Sequence, residues 1–283
     1  MALEVDAEQF AKLWINSHES CPGWDVPPDP AYSDSYLGNG YFETWCADVA
    51  RRQLARAAAD PRYGFGESIL TFWPWPISNF EGRNDCVRQI QVDDDGNGVT
   101  DRSVTVPMPI LHFLGLMNSM GDDFRVLPEF TVSGQVVSGF ASQSGETLRI
   151  LLYAHHMLDT ESRSEHSFDV TLDLSGLKSP DQKVSVREFR FDKDQNSYFH
   201  LGRSLRDQQT HDQRLLEQTE AVLKRKTVPP PFSAEVARKI MELAELHENA
   251  SRSYNVGVNG QLSIEVPLSA NGVNFLIIEP TSN

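Results

Sequence analysis

Basic residues are scarce in this chain. Its 283 residues include 25 Lys+Arg against 40 Asp+Glu, a formal net charge of −15. Nothing supplies the basic stripe that neutralises a phosphate backbone, so nucleic acid is excluded as a partner. Cysteine is rarer still: Cys21, Cys46 and Cys86 are odd in number, widely spaced and without a CxxC pair. That pattern supports neither a disulfide framework nor a zinc site. No apolar run approaches the roughly 18 residues of a membrane span. The segment from Met1 to Phe10 lacks the basic and apolar regions of a secretion signal. A Gly-x-Ser-x-Gly elbow, a P-loop and a dinucleotide fingerprint are all missing, and no cofactor is expected. Length sets a further bound. A complete (β/α)8 barrel takes roughly 250 residues, so this chain cannot hold one beside a second domain.

What is present divides near residue 120. Apolar residues recur at helical spacing over 4–14, and Leu13-Trp14-Ile15 reads as a short apolar strand entering Asn16-Ser17-His18-Glu19. A Pro/Gly/Asp loop follows. Tyr41 to Ala59 is Ala-rich, with Arg51, Arg52 and Arg56 in its later turns and Asp60-Pro61 to stop it, and predicts a long helix. Residues 68–73 form a second buried-type strand. Val87–Val92 and Ser103–Val106 predict a hairpin, and Pro109–Met120 an apolar helix.

Beyond Gly121 the texture changes to short alternating segments at 134–141, 147–153, 168–174, 184–191, 262–266 and 273–278. That spacing predicts an antiparallel β-sandwich. A helical insertion at 204–226 and 233–249 interrupts it, divided by Val228-Pro-Pro-Pro231.

Three groups of residues could carry chemistry. Glu19 sits at the C-terminal end of a short apolar strand that is followed by a helix and another strand. That is where barrel enzymes place catalytic side chains. On spacing alone, a solvated residue at a strand end is the simpler reading. Trp24, Trp73 and Trp75 flank the same face and could stack on sugar rings, although packing where the last strand ends is the commoner role for Trp-Pro-Trp-Pro. Asp93, Asp95, Asn97, Gly98 and Asp101 match positions of a calcium loop, but Val104 stands where a bidentate Glu belongs. The flanks also read as strands, so solvated acids in a hairpin loop are expected and no metal is assigned. His155-His156 has no ligand partner at metal spacing, and adjacent strand residues face opposite ways.

These residues, in this order, resemble glycoside hydrolase family 39, and its α-L-iduronidase branch more than its β-xylosidases. The resemblance begins at Asn16-Ser-His-Glu-Ser-Cys-Pro-Gly-Trp24, similar to the branch's seventh barrel strand and nucleophile loop. It continues through Ala47-Asp48-Val49, Ile69-Leu-Thr-Phe-Trp-Pro-Trp-Pro76 and the hairpin led by Val92. Val106-Pro-Met-Pro-Ile-Leu-His-Phe-Leu-Gly-Leu-Met117 is similar to the helix closing the barrel. In the sandwich it takes in Val186-Arg-Glu-Phe-Arg-Phe-Asp-Lys-Asp-Gln-Asn-Ser-Tyr198, Gln261–Leu268 and Val273–Ile278, so it spans about residues 5–280.

The resemblance implies the last βα units of a (β/α)8 TIM barrel (residues 1–120) followed by an antiparallel β-sandwich with a helical insertion (121–283). It implies a retaining glycosidase acting on a carbohydrate, with Glu19 as nucleophile. Such enzymes place two carboxyl groups roughly 5–5.5 Å apart and pass through a covalent glycosyl intermediate. It also implies a substrate-binding Arg after strand eight, matched by Arg83, with Arg88 as the alternative. Two departures stand out. The branch's Asp near the start of strand eight is replaced by Gly66-Glu67-Ser68, and the Asn-Glu pair that carries the family's acid/base occurs nowhere. The expectation is therefore a C-terminal portion that lacks the acid/base half of the barrel and is inactive alone, completed by an upstream polypeptide. The other reading is a non-catalytic β-sandwich module that binds carbohydrate or a partner.

Overall fold

The computed structural model describes residues 39–59, 87–121, 123–156, 165–174, 183–201, 204 and 231–281. Its elements in chain order are α1 (Tyr41–Ala59), β1 (Val87–Asp93), β2 (Arg102–Pro107) and α2 (Pro109–Asn118), then β3 (Phe124–Val126), β4 (Phe130–Val132), β5 (Gln135–Ser144), β6 (Thr147–His155), β7 (Glu165–Asp173) and β8 (Lys183–Phe191), and finally β9 (Phe232–Ser233), α3 (Ala234–Leu243), β10 (Ala250–Asn255), β11 (Gln261–Ser269) and β12 (Gly272–Pro280).

A seven-stranded antiparallel sheet organises the whole, in the order β10-β8-β12-β6-β5-β3 with β4 also paired to β5. Its centre is β12, Gly-Val-Asn-Phe-Leu-Ile-Ile-Glu-Pro. Strands covered on both faces read as continuous apolar runs rather than alternating ones. Here Val273, Phe275 and Ile277 enter one core, while Leu276 and Ile278 enter another. The second core lies under the antiparallel pair β7–β11. Phe168, Val170 and Leu172 of β7 and Leu262, Ile264, Val266 and Leu268 of β11 point inward, with polar residues alternating outward. This is the expected sandwich, and four of its six predicted segments lie within the described strands. The segment 134–141 starts one residue before β5, and 168–174 outruns β7 by the single residue Leu174.

The first core is of mixed origin. Phe42, Cys46 and Ala47 of α1, Ile90 and Val92 of β1, Val106 of β2, and Ile110 and Phe113 of α2 join Phe140, Leu151, Tyr153, Phe189 and Phe275 of the sheet. Residues on both sides of 120 therefore complete a single core. The α1 bounds are those expected from the sequence. The hairpin β1–β2 pairs Val87 with Pro107 through Val92 with Arg102, and β9 joins it in parallel.

Differences from the expectations have local causes. The helix expected over 233–249 stops at Leu243, and 250–255 become edge strand β10. The Asn249 N–H donates to Glu188 O at 2.8 Å, and its side-chain oxygen accepts from Arg190 N at 2.6 Å, steering the chain onto β8. Helix 109–120 ends at Asn118. Strands β3, β4, β9 and β10 were not expected. The β4–β5 connection turns through Ser133 and Gly134, both at positive φ (50° and 79°), as tight hairpin turns require. The strands expected at 13–15 and 68–73 and the helix at 4–14 lie outside the described residues. So does the helix at 204–226, apart from Ser204. No described helix is long and apolar enough to cross a membrane.

Candidate functional site

The five residues singled out for catalysis and substrate binding, Glu19, Trp24, Trp73, Trp75 and Arg83, all lie outside the described residues. So do Cys21 and Cys86. What the structure gives is the frame that the Glu19 and Arg83 segments each run into. These are the first turns of α1 and the start of β1.

The entry to α1 is held tightly. Asn39 is buried, and its side-chain oxygen accepts from Tyr41 N at 3.1 Å, which occupies one of the free N–H groups at the helix start. Gly40 has φ +86°, and a Cβ there would lie 1.9 Å from Asn271 O and 3.1 Å from Asp192 Cα. Only glycine allows this approach of α1 to the β11–β12 turn. Asn271 in turn accepts from His156 N at 2.9 Å. Asp192, also buried, accepts from Asp194 N at 2.8 Å and from Ser269 Oγ at 2.9 Å, with Arg190 at 3.4 Å. Burial pushes the Asp192 carboxyl up against these favourable contacts.

A polar seam then runs along α1 where it crosses β6. Thr44 Oγ1 lies 2.9 Å from His155 Nδ1 and donates to Tyr41 O at 3.0 Å. A hydroxyl has one hydrogen, so Nδ1–H of His155 is the donor to Thr44. The His155 ring also packs against Tyr41, with centroids 5.1 Å apart. One turn on, Tyr153 Oη donates to Asp48 Oδ1 at 2.6 Å, and Arg52 Nε to Asp48 Oδ2 at 2.7 Å. Arg51 bonds Glu129, which tethers the segment before β4 to the helix. Burial pulls His155 down to about 4 and raises the Tyr153 phenol.

On the apolar stripe of the same helix sits Glu43. It is 2% exposed, its Oε2 has no partner among the described residues, and burial pushes its carboxyl up to about 7. Thr44 and His155 are a hydroxyl and an imidazole in contact, but Nδ1–H donates and the Thr44 hydrogen is given to Tyr41 O, so the imidazole is not placed to activate the hydroxyl as a nucleophile. Thr44 is fully buried and His155 nearly so, which leaves no path for a substrate and makes the pair a joint between helix and sheet.

The segment between β1 and β2 is the hairpin loop expected from the sequence, with Asp95 and Asp101 exposed and Asp93 buried. Asp93 accepts from Gly96 N at 2.6 Å, Gly98 N at 2.7 Å and Asn97 N at 3.2 Å, and these N–H groups, Gly98 foremost, hold its carboxyl low. Asp94 pairs with Arg102 at 2.8 Å. One carboxylate oxygen each from Asp93, Asp95 and Asp101 fall within 4.8 Å of one another, so a cation could be held there. Asp93 has nonetheless spent most of its acceptor capacity on the loop itself. A small open cleft lies at the end of β6 remote from His155. Glu146, Asp173 and Glu279 rim it over Leu148, Leu174, Val184 and Ile278. It carries no aromatic ring for a sugar to stack on.

The seam was not anticipated. The one trace of it in the sequence is a polar row at helical spacing, Tyr41, Thr44, Asp48 and Arg51, on an otherwise Ala-rich helix.

Neither a family model nor a curated protein matches the sequence. Solved structures do. The bacterial orthologue of human α-L-iduronidase is similar over 98% of this chain and 43% of its own, with 12% identity and a TM-score of 0.55. A monomeric β-xylosidase from Caulobacter crescentus CB15 is similar over 92% of this chain and 45% of its own, with 13% identity and a TM-score of 0.50. The chain thus spans less than half the length of the structures it matches. At this identity the likeness speaks to fold, and the fold is one that glycoside hydrolases of the xylosidase and iduronidase kind possess.

Proposed function

We propose that this chain is the nucleophile-bearing portion of a retaining glycosidase, with residues 1–120 forming the end of a TIM barrel and 121–283 its β-sandwich. Glu19 attacks the anomeric carbon, Trp24, Trp73 and Trp75 stack on the sugar, and Arg83 bonds its polar groups. A general acid must protonate the leaving oxygen, a contribution of roughly 10²–10⁴-fold in such reactions. The chain has no Asn-Glu pair to provide it. The acid/base therefore comes from a polypeptide outside this sequence, and the chain alone hydrolyses nothing.

The observation that supports this reading is the agreement of two independent results. The motifs from Asn16 to Ile278 follow one family's order, and the fold matches structures from the same group of enzymes over nearly the whole chain. The module reading has less behind it. The outward face of β7–β11 carries Glu165, Ser167, Asp169, Thr171, Asp173, Gln261, Ser263 and Glu265, with no aromatic among them.

The test is hydrolysis of nitrophenyl xylosides and iduronides. The purified chain is expected to be inactive, and co-expression with an upstream reading frame containing Asn-Glu is expected to restore activity that Glu19→Gln abolishes. Hydrolysis by the chain alone, lost in Glu19→Gln, would overturn the claim of incompleteness. Restored activity that survives Glu19→Gln would overturn the nucleophile assignment.

A further inference from the structure

Among the described residues the β7–β11 sheet has two strands, against seven in the sheet it covers. Its two outer edges are finished differently. Leu174 N donates to Gly260 O at 2.7 Å, one step past the Asp173–Gln261 pair. An antiparallel ladder alternates bonded and non-bonded pairs. Even-numbered residues of β7 therefore bond β11, and the N–H and C=O groups of odd-numbered residues in both strands point to the outer edges. On β11 that edge is closed. Gln261 N donates to Asn259 Oδ1 at 3.1 Å, and Gln261 O accepts from Gly257 N at 2.9 Å. Pro267 has no N–H, and its O accepts from Asn274 Nδ2 at 3.3 Å. On β7, no described residue bonds the backbone of Ser167, Asp169 or Thr171 along this edge.

The floor beside the open edge is apolar and uncovered. The Asn274–Pro267 bond sets β11 over β12. Phe168 meets Phe130, with ring centroids 5.6 Å apart, which sets β7 toward the β4–β5 margin of the large sheet. On that margin Phe130 is 45% exposed and Val132 half-buried, both on the face that Val137 turns to the core. The solvent face of the edge is acidic. Glu165, Asp169 and Asp173 alternate along β7, Glu265 stands opposite Asp169, and neither strand contains Lys or Arg. Arg190 of β8 reaches only the Glu165 end, at 3.6 Å. A second copy of β7 fits this edge poorly. Antiparallel pairing centred on Asp169 sets Asp169 against itself and Glu165 against Asp173, and like charges directly opposite are destabilising.

We propose that the open edge of β7 docks an extended segment of another polypeptide, with Lys or Arg at alternate positions and apolar residues between them, which adds to the smaller sheet as a third strand. Its backbone bonds Ser167, Asp169 and Thr171, its basic side chains lie along the acidic outer face, and its apolar side chains cover Phe130. The edge strand's unpaired groups supply affinity, and the acids that discourage self-pairing select the partner's charge. This surface is independent of the glycosidase reading, since neither Glu19 nor an acid/base residue takes part in it.

The probe is an acetylated, amidated nonapeptide of alternating Lys and Val, titrated into the full chain at low salt, with amide exchange followed by NMR. Saturable binding should slow exchange at Ser167, Asp169 and Thr171. A Glu-Val peptide should not bind. N-methylation of the lysines, whose N–H groups face β7, should abolish binding, and N-methylation of the valines should not. Asp169→Lys and Phe130→Ser should each weaken binding about 3- to 10-fold. Absence of binding, binding that leaves those three amides unslowed, or unchanged affinity in either variant would overturn the proposal. So would slow exchange at these amides before peptide is added: in a monomer it would show that another segment of this chain holds the edge, and in a dimer that a second copy does.

Discussion

The two faces of the seven-stranded sheet are built to different rules. Toward β7–β11 the contact is mostly apolar. Ile150, Leu152, Leu276 and Ile278 meet Leu262, Ile264, Val266 and Leu268, and the buried polar exceptions are Gln135 and Asn274, the latter donating to Glu188 Oε1 at 2.6 Å and to Pro267 O at 3.3 Å. Toward α1 the core is as apolar in its centre, with Phe275 and Leu151 fully buried, but it is threaded by Glu43, Thr44 with His155, and Asp48 with Tyr153. An apolar interface stabilises many related packings about equally well. A buried hydrogen bond is satisfied in only one, and breaking it leaves a desolvated group that costs about 1–3 kcal/mol. The β7–β11 face, with few such bonds beyond those of Asn274, contributes mainly cohesion, and the α1 face, which has more of them, contributes more to position. Position is what a helix needs if the segment before it carries the proposed nucleophile.

The largest expected effect comes from removing one side altogether. Deleting residues 1–120 strips α1, β1, β2 and α2 from the sheet and exposes Phe140, Leu151, Tyr153, Phe189 and Phe275. The remaining 163 residues should aggregate or bind hydrophobic dyes instead of forming a monomeric sandwich. A soluble, cooperatively melting fragment would show that the two faces are independent. Next is Gly40→Ala. A left-handed φ costs a non-glycine residue about 1–2 kcal/mol, and the forced contact with Asn271 O adds about 1–3 kcal/mol of overpacking. Urea unfolding should register the sum, roughly 2–5 kcal/mol.

Tyr153→Phe should cost about 1–3 kcal/mol by leaving Asp48 short of a donor. It should also raise amide exchange in α1 more than in β7–β11. An even effect on both faces would deny the seam its positioning role. The smallest change is on the outer surface of the β7–β11 pair. Glu265 stands directly opposite Asp169, and both are exposed. Glu265→Lys should stabilise by about 0.2–1 kcal/mol, reduced at high salt.

Much of this was legible from local pattern. Helix α1 announces itself by its alanines and the Asp60-Pro61 stop, and the β1–β2 hairpin by a loop containing Asn97-Gly98 between apolar strands. The sandwich strands show in their period-two alternation. Edge strand β10, Ala-Ser-Arg-Ser-Tyr-Asn, was not legible, because an edge has only one neighbour and little apolar surface to bury. Helix propensity over Glu242–Glu248 suggested a longer α3, and the side chain of Asn249 overrode it from across the sheet. The seam was hidden for the same reason: 111 residues separate Thr44 from His155, and 105 separate Asp48 from Tyr153. Among the candidate site residues, Glu19 and the tryptophans were proposed from the strand–helix–strand pattern and again from the order of motifs, and Arg83 from that order alone; all five lie outside the described residues.

The function rests on Glu19 acting as a nucleophile, and covalent trapping tests that most directly. A 2-deoxy-2-fluoro glycoside with a dinitrophenyl leaving group departs without help from an acid, so the label reports nucleophilic attack alone. The chain co-expressed with an upstream polypeptide that carries Asn-Glu should gain one fluoroglycosyl group, found by peptide mass spectrometry on Glu19. A label on any other carboxylate, or turnover without a trapped intermediate, would contradict the account.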